Sequence, residues 1–210
     1  MTEAFEIEVG DLDYPRCDPS ELLLLKDLPV ANIGDAMDRL GVVGSGIAPI
    51  YKGARVCGSA FTVWTRSGDN LAIHQALSLV RQGDVMVVNG GGDTSRALIG
   101  ELIATRAKLA GLAGIIIDGA VRDAQAIAEL GFAVFAGSIS PAGPFKFGPG
   151  KLLCNVAIGG VSVSPGDVVV GDDDGIAVVP LDEVSKVASR AAEIFANEEK
   201  KREGYYKGVR

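Results

Sequence analysis

The sequence predicts an α/β fold, and three observations carry that reading. Short β-branched apolar runs, Val85-Met-Val-Val88 and Ile115-Ile-Ile117 among them, have the composition of buried strands. Segments with apolar residues at helical spacing stand between them, as in Leu98, Leu102, Ile103 and Leu109. Glycine supplies 28 of the 210 residues, above the usual share, so tight turns and close backbone approaches should be frequent. With 48% hydrophobic and 22% charged residues the chain can bury a full core. One domain over residues 1–210 is expected, with about 1–30 as an extension bearing a short helix and about 181–210 as a carboxyl-terminal helix and tail.

Taken in order, Asp18-Pro19-Ser20-Glu21 before Leu22-Leu-Leu-Leu25 supplies an N-cap, a first-turn proline and a short helix. A second helix is expected over 32–40, ending at Gly41, and the Gly/Pro-rich 41–53 is a loop. Residues 54–66 read as a strand, and Asp69-Asn70 caps a helix containing Leu71, Ile73, His74, Leu77 and Val80. After the strand at 85–88, Asn89-Gly-Gly-Gly-Asp93 reads as a glycine loop. Gly100 would cost about 1 kcal/mol inside a helix, so the next helix should begin near it.

The strand at 115–117 meets the turn signal Asp118-Gly119, and a helix over 123–130 and a strand over 132–135 follow. Residues 138–151 form an irregular loop whose Phe145 and Phe147 have too little local structure to bury them, which points to a covering partner subunit. Residues 152–179 are β, with 171–175 as an acidic hairpin. A last helix begins near Leu181, dissolves in the charged 197–202 and leaves a tail.

Composition also excludes. The formal net charge of −7 argues against duplex nucleic-acid binding, which needs a basic face. The first residues are acidic where a signal peptide is basic, and no apolar run approaches the roughly 20 residues of a membrane span. Cys17, Cys57 and Cys154 lack CxxC spacing and read as reduced thiols, so a cytoplasmic protein with small-molecule or protein partners is expected.

The stretch that bears chemistry is Gly114-Ile-Ile-Ile-Asp-Gly-Ala-Val-Arg-Asp123. It sets Arg122 and Asp123 at the carboxyl end of a strand, where ligands gather in α/β folds. The plain alternative is a surface ion pair, with Asp123 capping its own helix. A helix starting at Gly100 would leave the amides of Gly100, Glu101, Leu102 and Ile103 as an anion site. Asp172-Asp-Asp174 reads as a solvated turn rather than a metal cluster, because consecutive hairpin residues point different ways. His74, the lone histidine, reads as a core or interface group rather than a base. Asn89–Asp93 has neither a GxGxxG nor a GxxxxGK pattern, which argues against a nucleotide site.

Four motifs together resemble the RraA-like proteins, which include 4-hydroxy-4-methyl-2-oxoglutarate aldolases, class II pyruvate aldolases that also decarboxylate oxaloacetate. They are Gly100-Glu-Leu-Ile103, Ile117-Asp-Gly-Ala-Val-Arg-Asp123, Ser140-Pro-Ala-Gly-Pro-Phe-Lys146, and the run from Pro165 to Pro180, within a resemblance extending from about Asn32 to Ala192. The resemblance implies a three-layer β/β/α sandwich like the swivelling phosphohistidine domain, assembled as trimers or hexamers with sites at subunit interfaces. It also implies that Arg122 binds a 2-oxo acid substrate, that Asp123 ligates Mg²⁺ or Mn²⁺, and that the amides of Gly100 to Ile103 hold the substrate carboxylate. Some members carry a further acid three residues beyond the metal aspartate, which is Ala126 here. Others place it twenty-one residues before the arginine, which is Glu101 here. The same resemblance admits a second function, a regulator that inhibits an RNA-degrading endonuclease by protein contact.

Overall fold

The structure of the protein, a computed structural model, describes residues 5–208. In chain order the elements are β1 (Ile7–Val9), α1 (Pro19–Lys26), α2 (Val30–Ala36), β2 (Ala48–Pro49), β3 (Val56–Thr65), α3 (Leu71–Ala76), β4 (Val85–Ile99), α4 (Glu101–Leu109), β5 (Gly114–Val121), α5 (Ala124–Leu130), β6 (Ala133–Ile139), β7 (Gly150–Leu152), β8 (Val156–Ile158), β9 (Val161–Val163), β10 (Val168–Asp172), β11 (Gly175–Val179) and α6 (Val184–Lys207). The mixed α/β class follows directly.

Among the described residues a nine-stranded sheet runs β1-β7-β3-β4-β5-β6-β2, with β10 and β11 branching from β3. The branch exists because β3 is ten residues long and divides one edge between two partners. Its first half pairs antiparallel with β10 and its last residues pair with β7. Strands β3, β4, β5 and β6 are mutually parallel, so their carboxyl ends lie on one side.

Alternation along the central strands sends side chains into two cores. Met86 and Val88 of β4, with Ile115 and Ile117 of β5, join Ile73, Ala104 and Ile127 from helices α3, α4 and α5. Val85, Val87 and Ile116 point the other way, into a cluster with Phe135, Val169 and Ile176. The uninterrupted Ile115-Ile-Ile117 run is therefore a strand covered on both faces, and all three side chains are fully buried. A third cluster fills the far side of β10 and β11, where Val168, Val170 and Ala177 meet Ile33 of α2 and Val187 and Ala191 of α6.

Several boundaries differ from the expectation, each for a tertiary reason. Asn89–Asp93 is not a free loop. Positive φ at Gly91 and Gly92 lets β4 run through to Ile99 beside β5, with register shifts between Asn89, Asp93, Ala97 and Ile99. Asp118-Gly119 is likewise no turn, because β5 continues to Val121. Helix α2 stops at Ala36 rather than Leu40. Asp38 and Arg39 adopt φ of 53° and 70°, and Arg190 of α6 donates to the Ala36 carbonyl and to the Asp38 carboxylate. The charged stretch at 197–202 stays helical within α6 to Lys207, with Arg202–Glu199 and Lys207–Glu203 pairs along its surface.

Candidate active site

The parallel register brings the site together. Ile99 ends β4 directly beside Val121 at the end of β5, and the Arg122 N–H donates to the Ile99 carbonyl at 3.0 Å. The start of α4 and the start of α5 thereby lie side by side. Asp123 takes a left-handed conformation, φ 58° and ψ 35°, uncommon for a residue with a Cβ and costly by about 1 kcal/mol or more. That turn directs its carboxylate away from α5, to which it gives no side-chain cap, and across to α4, where Oδ2 accepts the Glu101 N–H at 3.1 Å. Asp123 thus occupies the N-cap position of α5, as the plain alternative has it, but caps through its backbone carbonyl alone, which accepts the Ile127 N–H at 3.0 Å. Arg122 Nε stands 3.6 Å from the same oxygen, and both side chains are nearly half exposed.

Gly100 is required by close approach. A Cβ there would collide with Asp123 Oδ2 and lie 3.0 Å from Arg122 Cγ. The four expected amide donors are not equivalent, since Glu101 N–H is taken by Asp123 and Ile103 N–H turns back to the Gly100 carbonyl at 3.1 Å. The Glu101 carboxylate accepts from Thr105 one turn along, 2.9 Å away.

Two clefts meet at Asp123. One, of about 200 Å³, is lined by Asn70, His74, Leu102, Arg122, Pro144 and Lys146 among others, and its charged rim carries two cations besides Asp123. The other is open, about 660 Å³, and gathers Glu101, Asp123 and Glu129 beside Gln125 and Ala126. An anion is favoured in the first and a cation in the second. No group of three or more His, Cys, Asp or Glu able to hold a metal occurs among the described residues. Mg²⁺ asks for less, one or two carboxylates plus substrate and water oxygens. Asp123 beside Glu101 fits that habit.

Asn70, His74 and Lys146 were not legible as site residues in the sequence, because they come from α3 and the 138–151 loop, far away along the chain. His74, expected as a core or interface group, is half-buried at the cleft and only partly satisfied within the chain. Its Nδ1 lies 3.2 Å from an Arg106 nitrogen, and a guanidinium only donates, so Nδ1 accepts and the ring proton sits on Nε2. Burial first, and then the positive charges of Lys146 and Arg106, hold its pKa below the ordinary value, so the ring is neutral. Among the described residues buried Nε2 has no hydrogen-bond partner, nor has buried Oδ1 of Asn70.

Other candidates fall away. Asp172 and Asp173 spend their oxygens on the Val30, Asp174 and Gly53 amides, as a structured turn does. Burial pushes the thiols of Cys17 and Cys57 up to about 11, which leaves neither ionised as a nucleophile near neutrality. A separate cleft of about 490 Å³ beside α6 has its Arg190 and Asp38 already paired with each other.

A model of the RraA-like family (Aldolase/RraA) matches residues 30–178, which span every element of this site. The chain belongs to the RraA-like family. It is 37% identical over 174 residues, 83% of each chain, to a protein of Halalkalibacterium halodurans provisionally named a 4-hydroxy-4-methyl-2-oxoglutarate aldolase. An uncharacterized protein of Pseudomonas syringae pv. tomato shares the architecture at a TM-score of 0.83 and 28% identity, covering 93% of this chain and 96% of that one. RraAS2 of Streptomyces coelicolor, described as an unusual member of the RNase ES inhibitor RraA family, aligns at a TM-score of 0.78 and 29% identity, covering 89% of this chain and 98% of that one. No helix among the described residues of this RraA-like chain is long and apolar enough to cross a membrane.

Proposed function

We propose that this RraA-like protein is a divalent-metal-dependent carbon–carbon lyase that releases pyruvate from 4-hydroxy-2-oxo acids of the 4-hydroxy-4-methyl-2-oxoglutarate type, and that it decarboxylates oxaloacetate through the same enolate. The observation that carries the reading is the Asp123 carboxylate, held by a left-handed turn at the junction of a cationic cleft and an acidic one. The relative in H. halodurans supports it by name.

In the cleavage the C3–C4 bond breaks and its electron pair becomes the C2–C3 enolate. The O4 hydroxyl loses its proton as C4 becomes a carbonyl, and a proton added at C3 completes pyruvate. Mg²⁺ or Mn²⁺, held by Asp123 with Glu101 beside it, would supply Lewis-acid polarisation of the 2-oxo group. The chain's own residues do the rest. Arg122 stabilises the developing negative charge with a fixed fork of donors, and the remaining free amides at the start of α4 orient the carboxylate. Leu102, Ile103 and Pro144 make that side of the cleft apolar.

The test is pyruvate release from a panel of 2-oxo acids with Mg²⁺, with Mn²⁺ and with a chelator. Metal-dependent release is expected, and its absence across the panel would remove the lyase reading. The alternative is a regulator that inhibits an RNA-degrading endonuclease by contact, favoured by the likeness to S. coelicolor RraAS2 and by the net charge of −7, which suits a basic partner. Inhibition of the endonuclease that survives the chelator would mark that second role.

A further inference from the structure

The small cleft contains an unmatched pair of polar atoms that the lyase reading does not use. Asn70 precedes α3 and His74 lies one turn on, with the His74 N–H donating to the Asn70 carbonyl at 3.1 Å, so both residues line the cleft from one side. Asn70 is 1% exposed, and its amide nitrogen is fixed by donation to the Leu98 carbonyl at 2.9 Å. That fixes the amide's orientation and leaves Oδ1 as a buried acceptor without a partner among the described residues. His74 is fixed from its other edge by Arg106, which leaves Nε2–H as a buried donor likewise without a partner among the described residues. Buried polar groups in proteins are overwhelmingly paired, and leaving one unpaired is costly.

One donor and one acceptor on neighbouring turns are complementary to a hydroxyl, which accepts on a lone pair and donates its hydrogen. A carboxylate cannot satisfy the Asn70 oxygen, and an ammonium cannot satisfy the His74 proton. We infer that Asn70 Oδ1 and His74 Nε2–H form a subsite for the alcohol of the substrate. Resting on the lyase reading for its substrate, the inference makes that alcohol O4, and the cationic rim of Lys146 and Arg122 beside it makes the substrate an anionic hydroxy acid. His74 and Asn70 are then specificity residues that distinguish a 4-hydroxy-2-oxo acid from the same acid lacking the hydroxyl. Sites built to hydrogen-bond an alcohol reject the deoxy analogue strongly, because the buried partners are stranded without it.

The experiment compares binding of 4-hydroxy-2-oxoglutarate and 2-oxoglutarate with Mg²⁺ present, by ligand-observed NMR titration, which reports binding whether or not the acid is cleaved. The parent protein should prefer the hydroxy acid about 10- to 100-fold, the range that about 1–3 kcal/mol for a stranded buried group implies. His74→Met, of similar length and apolar, should reduce the preference to within about 3-fold, while His74→Gln, whose amide can place a donor near Nε2, should keep most of it. Equal affinity of the parent for the two acids overturns the inference without need of any variant, as does a preference that persists in His74→Met. Pyruvate release by the parent is scored separately, so a failure of the lyase reading is seen on its own.

Discussion

At the residue scale the site turns on Asp123. Asparagine tolerates the left-handed conformation as well as aspartate does and keeps an oxygen for the Glu101 N–H, so Asp123→Asn removes the charge and little else. We expect the melting temperature to stay within about 2 °C while metal-dependent pyruvate release falls at least about 100-fold. Unchanged activity at saturating Mg²⁺ would remove Asp123 from the metal. Arg122→Lys keeps the charge but loses the planar fork, and most activity should go with it. His74 carries a pH signature of its own. Its folded pKa is depressed, chiefly by burial, below the roughly 6.5 of the unfolded chain, so the unfolded state binds the proton more readily. Stability should therefore be at its full value above pH about 6.5 and decline as pH falls below it. His74→Gln should flatten that decline in melting temperatures measured between pH 5 and 7.5, and an identical slope in the variant would contradict the assignment.

At the element scale the decisive feature is that β4 and β5 end in register, which no local signal announces. The strand cores at Val85–Val88 and Ile115–Ile117, the helix start at Gly100 and the position of Arg122 and Asp123 were readable from β-branched runs and glycine cost. The continuations to Ile99 and Val121 were not, because Asn89-Gly-Gly-Gly and Asp118-Gly119 carry strong turn signals that sheet pairing overrides. Asn70 and His74 were unreadable as site residues because only packing of α3 beside α4 sets them at the cleft. The α4 start yields a separate prediction. Gly100→Ala should break the Asp123–Glu101 contact by collision, lowering activity about 10-fold or more with a stability loss of only about 1–3 kcal/mol. Glu101 and Ala126 line the same open cleft as Asp123, so Glu101→Ala should raise the Mg²⁺ requirement about 10- to 100-fold, and adding Ala126→Glu should recover part of it. An unaltered Mg²⁺ titration would reduce Glu101 to a first-turn acid that merely suits the helix dipole.

At the scale of the whole molecule, three buried clusters account for the core, and exposed apolar side chains remain both beside the site and away from it, the latter including Leu23, Leu24, Leu40 and Trp64. Leu102 and Leu109 stand two turns apart on one stripe of α4, 75% and 82% exposed, although Leu102 also lines the substrate cleft. Phe145 has local company, its ring lying under the Arg96 guanidinium at 4.2 Å and near Arg66, yet it and Phe147 are still about two-fifths exposed. Backbone pairing of Phe145 with Gly68 and Asn70, the Phe147 N–H donated to the Asp69 carboxylate, and the cation stacking together hold the segment between β6 and β7 without burying its aromatic rings. Such a surface beside a half-open cleft is what a neighbouring copy would cover, completing the site from outside the chain. We therefore expect a trimer or hexamer by light scattering at micromolar concentration. The net charge of −7 opposes association, so assembly should be firmer at 0.3 M than at 0.03 M salt, where screening is weaker. Leu102→Asp with Leu109→Asp should lower the mass toward a monomer and lower turnover in parallel, since the cleft loses its cover. A monomeric parent with full activity would show that one chain builds the whole site, and the exposed leucines of α4 would then have no part in it.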